Sequence, residues 1–175
     1  FADKARIKCA FLENPDMRKL RDMFSNRGLD NLRTLLIGSG GCGKSLMLQH
    51  LFLTSAKEYE NTGILPIFLE LRHFKQSHEI LQYIVETVSA TGESFSEADA
   101  NSLLLAGKCQ LLLDGFDEID PSDINSFLQK LKDFVTKYDK VQIVITSRQN
   151  DSLTGINQFM KLYVWPFEEK QSLEL

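Results

Sequence analysis

The chain has 175 residues, 43% of them hydrophobic, with 20 Lys and Arg against 24 Asp and Glu for a formal charge of −4. That length carries one ordinary core rather than two comfortable domains, and the mildly acidic balance gives no footprint for nonspecific nucleic-acid binding. No run approaches the roughly 18 apolar residues of a membrane span. No secretory leader pattern stands out either, and Cys9, Cys42 and Cys109 lack metal-ligand spacing and suit reduced thiols in a cytosol.

In chain order, Asn14 as N-cap, Pro15 at the first helical position, apolar Met17, Leu20 and Phe24, and Gly28 as a stop predict a first helix. The basic residues around it, Lys4, Arg6, Lys8, Arg18, Lys19 and Arg21, read as solvated helix faces. An apolar strand over 32–37 then feeds Gly38-Ser39-Gly40-Gly41-Cys42-Gly43-Lys44-Ser45, a complete G-x-x-x-x-G-K-S phosphate loop, followed by helix formers over 46–53. Glycines there can turn backbone N–H groups inward around a β-phosphate, Lys44 reaches the β/γ-oxygens, and Ser45 Oγ takes a Mg²⁺ position. The helix N-terminus adds its dipole to the same anion site, so a nucleoside triphosphate with Mg²⁺ is expected.

A second strand over 63–71 contains Pro66, which is tolerable near a sheet edge. Ile80, Leu81, Ile84, Val85 and Val88 mark one helix face. Ser96 with Asp99 makes a capping-box start for another helix, which Gly107 ends. Residues 110–114 form a fully apolar strand closing on a carboxylate. Asp120-Pro121-Ser122-Asp123 is expected to cap a helix with Ile124, Phe127, Leu128, Leu131, Phe134, Val135 and Tyr138 at helical spacing. Strands over 141–147 and 161–165 complete the series. Apolar strands alternating with helices predict an α/β fold, a P-loop three-layer sandwich whose parallel sheet is covered on both faces.

Ligand chemistry in such sheets sits at the carboxyl ends of the strands, and three strand ends carry candidate residues. Asp114 follows Leu111-Leu112-Leu113 and would orient Mg²⁺ through its water shell. Asp117 and Glu118 lie within one turn of it. One of them could orient or deprotonate the water that attacks the γ-phosphorus; spacing does not choose between them, and the plain alternative is that both favour the start of the next helix. Arg148, after Val144-Ile145-Thr146-Ser147, would extend toward the terminal phosphate and report its presence. Thr136-Lys137-Tyr138-Asp139 matches a guanine-reading T-K-x-D motif but lies at a helix end rather than after a strand. Asp114-Gly115-Phe116-Asp117 also lacks the glycine of a GTPase switch, so ATP is preferred. His50, His73 and His78 have no metal or triad spacing and are expected in solvent or packing roles.

Gly38 to Ser45, Leu111-Leu112-Leu113-Asp114-Gly115-Phe116-Asp117-Glu118 and Ile145-Thr146-Ser147-Arg148 resemble the Walker A, extended Walker B and sensor 1 motifs of NACHT domains. These are STAND-class ATPases found in animal innate-immune receptors and many bacterial proteins. Leu65-Pro66-Ile67-Phe68-Leu69-Glu70-Leu71-Arg72 is similar to their second strand. The resemblance implies strand order 5-1-4-3-2, which agrees with an edge position for Pro66. It divides the chain into a helical lead-in over 1–31, a nucleotide-binding core over 32–166 and the start of a helical subdomain over 167–175. The rest of that part, including a histidine that contacts the ADP β-phosphate, would lie beyond Leu175, so an excerpt of a longer protein is expected.

The function implied is an ATP/ADP switch with slow Mg²⁺-dependent hydrolysis, controlling oligomerisation through the full-length protein. The setting would be cytoplasmic innate immunity or antiphage defence. The nucleotide is the expected partner, and no direct nucleic-acid or membrane binding is expected. Two other readings stay open: a non-switch P-loop enzyme such as a kinase or helicase fragment, and a scaffold that holds ADP without turnover.

Overall fold

A computed structural model of the chain describes residues 33–92, 94–149 and 158–164. The helix expected near residues 14–28, the basic cluster, Cys9 and the segment from Pro166 onward lie outside the described residues. The elements are β1 (Arg33–Gly38), α1 (Lys44–Lys57), α2 (Tyr59–Thr62), β2 (Leu65–Glu70), α3 (Ile80–Ser89), α4 (Glu97–Leu105), β3 (Cys109–Asp114), α5 (Ile124–Lys137), β4 (Gln142–Ser147) and β5 (Met160–Val164). Single 3₁₀ turns at Leu71–His73 and Phe116–Glu118 follow β2 and β3.

All strand pairs are parallel and the order is β2-β3-β4-β1-β5, the expected order read from the other side. Side chains alternate between two covered faces, as period-2 geometry requires. Leu35, Ile37, Leu111, Leu113, Ile143 and Ile145 pack toward Ile84, Leu104, Phe127 and Leu131 of α3, α4 and α5. Leu36, Leu112 and Val144 pack toward Met47, Leu48 and Leu51 of α1. β2 lies at the edge, where its proline does least harm. Leu65 donates its N–H to Lys108 O at 2.9 Å on the β3 side, so the next nitrogen, that of Pro66, turns outward where no ladder donor is needed.

Most boundaries fall within two residues of expectation, but α1 begins inside the phosphate loop and runs to Lys57, where residues 46–53 were expected. The capping box forms: Ser96 Oγ accepts from Asp99 N at 3.2 Å and Asp99 Oδ2 accepts from Ser96 N at 3.1 Å. Gly107, at φ 67°, ends α4 with Lys108 N bonding Leu103 O and Gly107 N bonding Leu104 O, the paired closure that a left-handed residue allows. α5 starts at Ile124 as expected, but its cap differs from expectation. Asp123 occupies the N-cap position without a side-chain capping bond, and Asp120 Oδ1 takes Ser122 N and Oγ in a self-contained turn. The T-K-x-D stretch does close a helix, yet Tyr138 is a core residue whose hydroxyl donates to Asn101 Oδ1. Among the described residues no helix is long and apolar enough to cross a membrane.

Candidate functional site at the carboxyl ends of the strands

β1 delivers the phosphate loop, and two constraints shape it. A Cβ on Gly38 would stand 2.6 Å from Cys42 Sγ and 2.7 Å from Val164 O, and the backbone oxygen of β5 cannot yield. Gly41 and Gly43 hold φ of 78° and 86°, the left-handed region that glycine enters at little cost. Gly43 is also the N-cap of α1; no side chain caps it and the first turn carries no acid. The leading N–H groups of α1 are therefore available to an anion. Lys44 Nζ donates to Gly38 O and Ser39 O at 2.8 Å each, which ties its ammonium to the start of the loop.

Ser45 Oγ, on α1, donates to Asp114 Oδ1 of β3 at 3.1 Å across 69 positions of sequence. The same carboxylate oxygen accepts from Thr146 Oγ1 of β4, and Thr146 Oγ1 in turn accepts from Gly115 N at 2.8 Å. Thr146 is 1% exposed, so this hydroxyl is a buried tie that sets the carboxylate's direction. One hydroxyl and one carboxylate meeting at a strand tip suit Mg²⁺, which takes one or two protein oxygens and completes its octahedron with water and substrate phosphates. Among the described residues no three His, Cys, Asp or Glu converge as a closed metal cage.

Beyond β3 the chain turns at Gly115, φ 78°, into the 3₁₀ turn anchored by buried Phe116. Here the two acids that spacing left equivalent part company. Asp117 Oδ1 accepts from Arg148 N at 2.8 Å and Oδ2 lies 3.2 Å from Arg148 Nε. Glu118 is exposed, and its carboxyl folds back on Gly115, with Cδ 3.0 Å from where a Cβ on that glycine would stand. The Arg148 guanidinium lies along the phosphate loop, Cζ 3.5 Å and Nη1 3.7 Å from the Cβ position of Gly40. Gly38 to Ser45, Asp114, Asp117, Glu118 and Arg148 thus gather at one end of the sheet.

Two contributions escaped sequence reasoning. Thr146 was visible only as one of two neighbouring hydroxyls, with Ser147, at the tip of an apolar strand. The end of β2 was the other: register sets Glu70 opposite Asp114, and Arg72 Nη2 lies 2.7 Å from Glu70 Oε2 with His73 Nε2 3.3 Å from the same oxygen. The hydrogen bond and charge of Glu70 hold the Arg72 guanidinium above its ordinary pKa, and the charges of Glu118 and Asp114 add to this. The available signal was that this strand, like the third, ends in a carboxylate. His78 packs instead, stacked on Tyr83 at 5.7 Å.

No curated protein sequence matches the chain. Solved structures share its fold. The Orc1 protein of Aeropyrum pernix, solved in complex with DNA, is 18% identical with a TM-score of 0.60, over 93% of this chain and 50% of that one. Cdc6p of Pyrobaculum aerophilum is 15% identical with a TM-score of 0.58, over 91% and 48%. A chain of Drosophila ORC bound to poly(dA/dT) DNA and Cdc6 is 11% identical with a TM-score of 0.63, over 98% and 31%. The chain therefore spans half or less of the length of these relatives. The family model of the NACHT domain matches residues 32–175, which takes in every strand and every site residue above, and the chain belongs to that family, as a nucleotide-binding P-loop NTPase module of the STAND class.

Proposed function

We propose that the chain is the ATP/ADP switch module of a STAND-type signalling protein and hydrolyses ATP slowly with Mg²⁺. The observation that carries this reading is the junction of Ser45, Asp114 and Thr146, which links helix α1 and strands β3 and β4 beside the phosphate loop. In it, the amides of Gly40 to Ser45 cradle the phosphates and Lys44 leaves its loop carbonyls for the β/γ-oxygens. Ser45 and Asp114 would hold Mg²⁺, which when bound neutralises charge on those oxygens. Glu118 is the group we assign to the attacking water, because both oxygens of Asp117 are engaged by Arg148. The water gives its proton to the Glu118 carboxylate as its oxygen bonds the γ-phosphorus and the bond to the ADP oxygen breaks, leaving ADP and inorganic phosphate. Arg148 meets the charge on the terminal phosphoryl group.

Oligomerisation through a longer protein, a cytoplasmic setting and a role in innate immune or antiphage defence follow from family analogy. So does the division into a lead-in over 1–31, a core over 32–166 and a helical start over 167–175. The test is binding of labelled ATP with and without Mg²⁺, followed by phosphate release. Lys44→Ala should abolish binding, and Glu118→Gln should bind but release no phosphate. Unchanged ATP binding in Lys44→Ala refutes the proposal. Retained ADP with no phosphate release, indifferent to Glu118→Gln, would identify a scaffold, and release stimulated by added nucleic acid would identify a helicase-like enzyme.

A further inference from the structure

We propose that Asp117 is the positioning residue through which the site distinguishes ATP from ADP: it grips Arg148 by its backbone and its Nε edge and so holds the guanidinium across the phosphate loop. This rests on the nucleotide-switch reading above. The grip is two-pronged, Oδ1 on Arg148 N at 2.8 Å and Oδ2 on Nε at 3.2 Å, so one carboxylate fixes both where β4 ends and where the side chain leaves it. Asp117 is the sunken partner, 16% exposed at its side chain, and Arg148 the exposed one at 63%. A carboxylate so enclosed and so occupied is poorly placed to take a proton from water.

The guanidinium is a rigid fork of five N–H donors. Held by Nε, it keeps both Nη groups for another acceptor, and Nη1 lies 3.7 Å from the Cβ position of Gly40, against the loop that faces the phosphates. An arginine left to itself would surrender several rotatable bonds on meeting a phosphate; here much of that ordering is built into the fold before nucleotide arrives. Only ATP brings a terminal phosphoryl group within its reach. The contribution of Asp117 is therefore felt in the difference between the two nucleotides, not in their common affinity.

Asp117→Asn isolates the effect. The amide oxygen still accepts from Arg148 N, but the amide NH₂ now opposes Nε–H, donor against donor, and the fork is released. The experiment measures equilibrium dissociation constants of the chain for ADP and for the β,γ-imido analogue of ATP, both with Mg²⁺. We expect Asp117→Asn to reduce the preference for the triphosphate by about ten- to a hundredfold, the weight of a charged hydrogen bond, with ADP affinity nearly unchanged. Arg148→Gln, at an exposed position that folding tolerates, should do the same, and the double variant should be no worse than either single one. Equal weakening of both nucleotides by Asp117→Asn would show a merely structural role and overturn the proposal. So would multiplicative losses in the double variant, an unchanged preference in Asp117→Asn, or a wild-type chain that binds both nucleotides equally. A wild-type chain that binds neither refutes the switch reading itself, and is told apart from the other outcomes by its indifference to Lys44→Ala.

Discussion

Replacing Thr146 by Val tests the buried tie behind the metal-facing carboxylate. The two side chains have nearly the same shape, so the loss is chemical: the hydroxyl that accepts from Gly115 N at 2.8 Å and donates to Asp114 Oδ1 disappears. Gly115 is buried, so its N–H would lose its partner out of reach of water, at about 1–3 kcal/mol. The missing bond to a carboxylate adds about 1.5–3 kcal/mol, for a total of about 2.5–6 kcal/mol. For a chain of 175 residues, at about 2–4 °C per kcal/mol, the melting temperature should fall by roughly 5–24 °C. Thr146→Ser keeps the hydroxyl and sheds a methyl group, and should cost only about 1 kcal/mol. Thermal and denaturant unfolding of the three proteins side by side gives the comparison. If Thr146→Val unfolds within about 0.5 kcal/mol of wild type, or Thr146→Ser costs as much as Thr146→Val, the hydroxyl tie carries no weight.

Gly38→Ala drives a methyl group to 2.7 Å from Val164 O, so it should cost about 1–3 kcal/mol in denaturant midpoint and weaken nucleotide binding, and Cys42→Ala should not rescue it because the thiol is only one of the two obstacles; wild-type stability in Gly38→Ala would refute the close approach. Cys109, wholly buried in β3, has its thiol pushed up to about 12 by burial, against 9.0 when free. A raised folded-state value means that its contribution to stability is intact below pH 9 and declines as pH climbs toward 12. Peptide mapping after alkylation at pH 8 should therefore find Cys109 unmodified in the folded chain and modified after denaturation, and prompt labelling while folded would contradict the burial.

Local signals in the chain proved most reliable where each is written in a few adjacent residues. The phosphate loop, the Ser96–Asp99 box, the Gly107 stop and the edge position of Pro66 all depend on near neighbours or on a single missing N–H, and all are realised. The sheet order was legible through resemblance to a family rather than through periodicity, since alternating strands and helices allow several windings. The start of α5 at Ile124 agrees with the stretch read as its cap, but the side-chain bond expected of a cap does not form. Only the turn geometry shows that Asp120 is already engaged by Ser122.

At the site, the residue types and their grouping at strand ends were set by sequence, because a phosphate loop and an acid-tipped strand have few other uses at that spacing. What tertiary structure alone decided is the division of labour. Asp117 and Glu118 are adjacent and chemically alike, yet the 3₁₀ turn aims one at β4 and folds the other back on Gly115. Thr146 became part of the machinery only when parallel pairing set β4 beside β3, and Glu70 and Arg72 only when β2 came into register with β3. For Asp117, Thr146 and Glu70 the physical reason is the same. A side chain's chemistry is local, but its partner is chosen by which strand lies alongside, and that neighbour is tens of residues away in the chain.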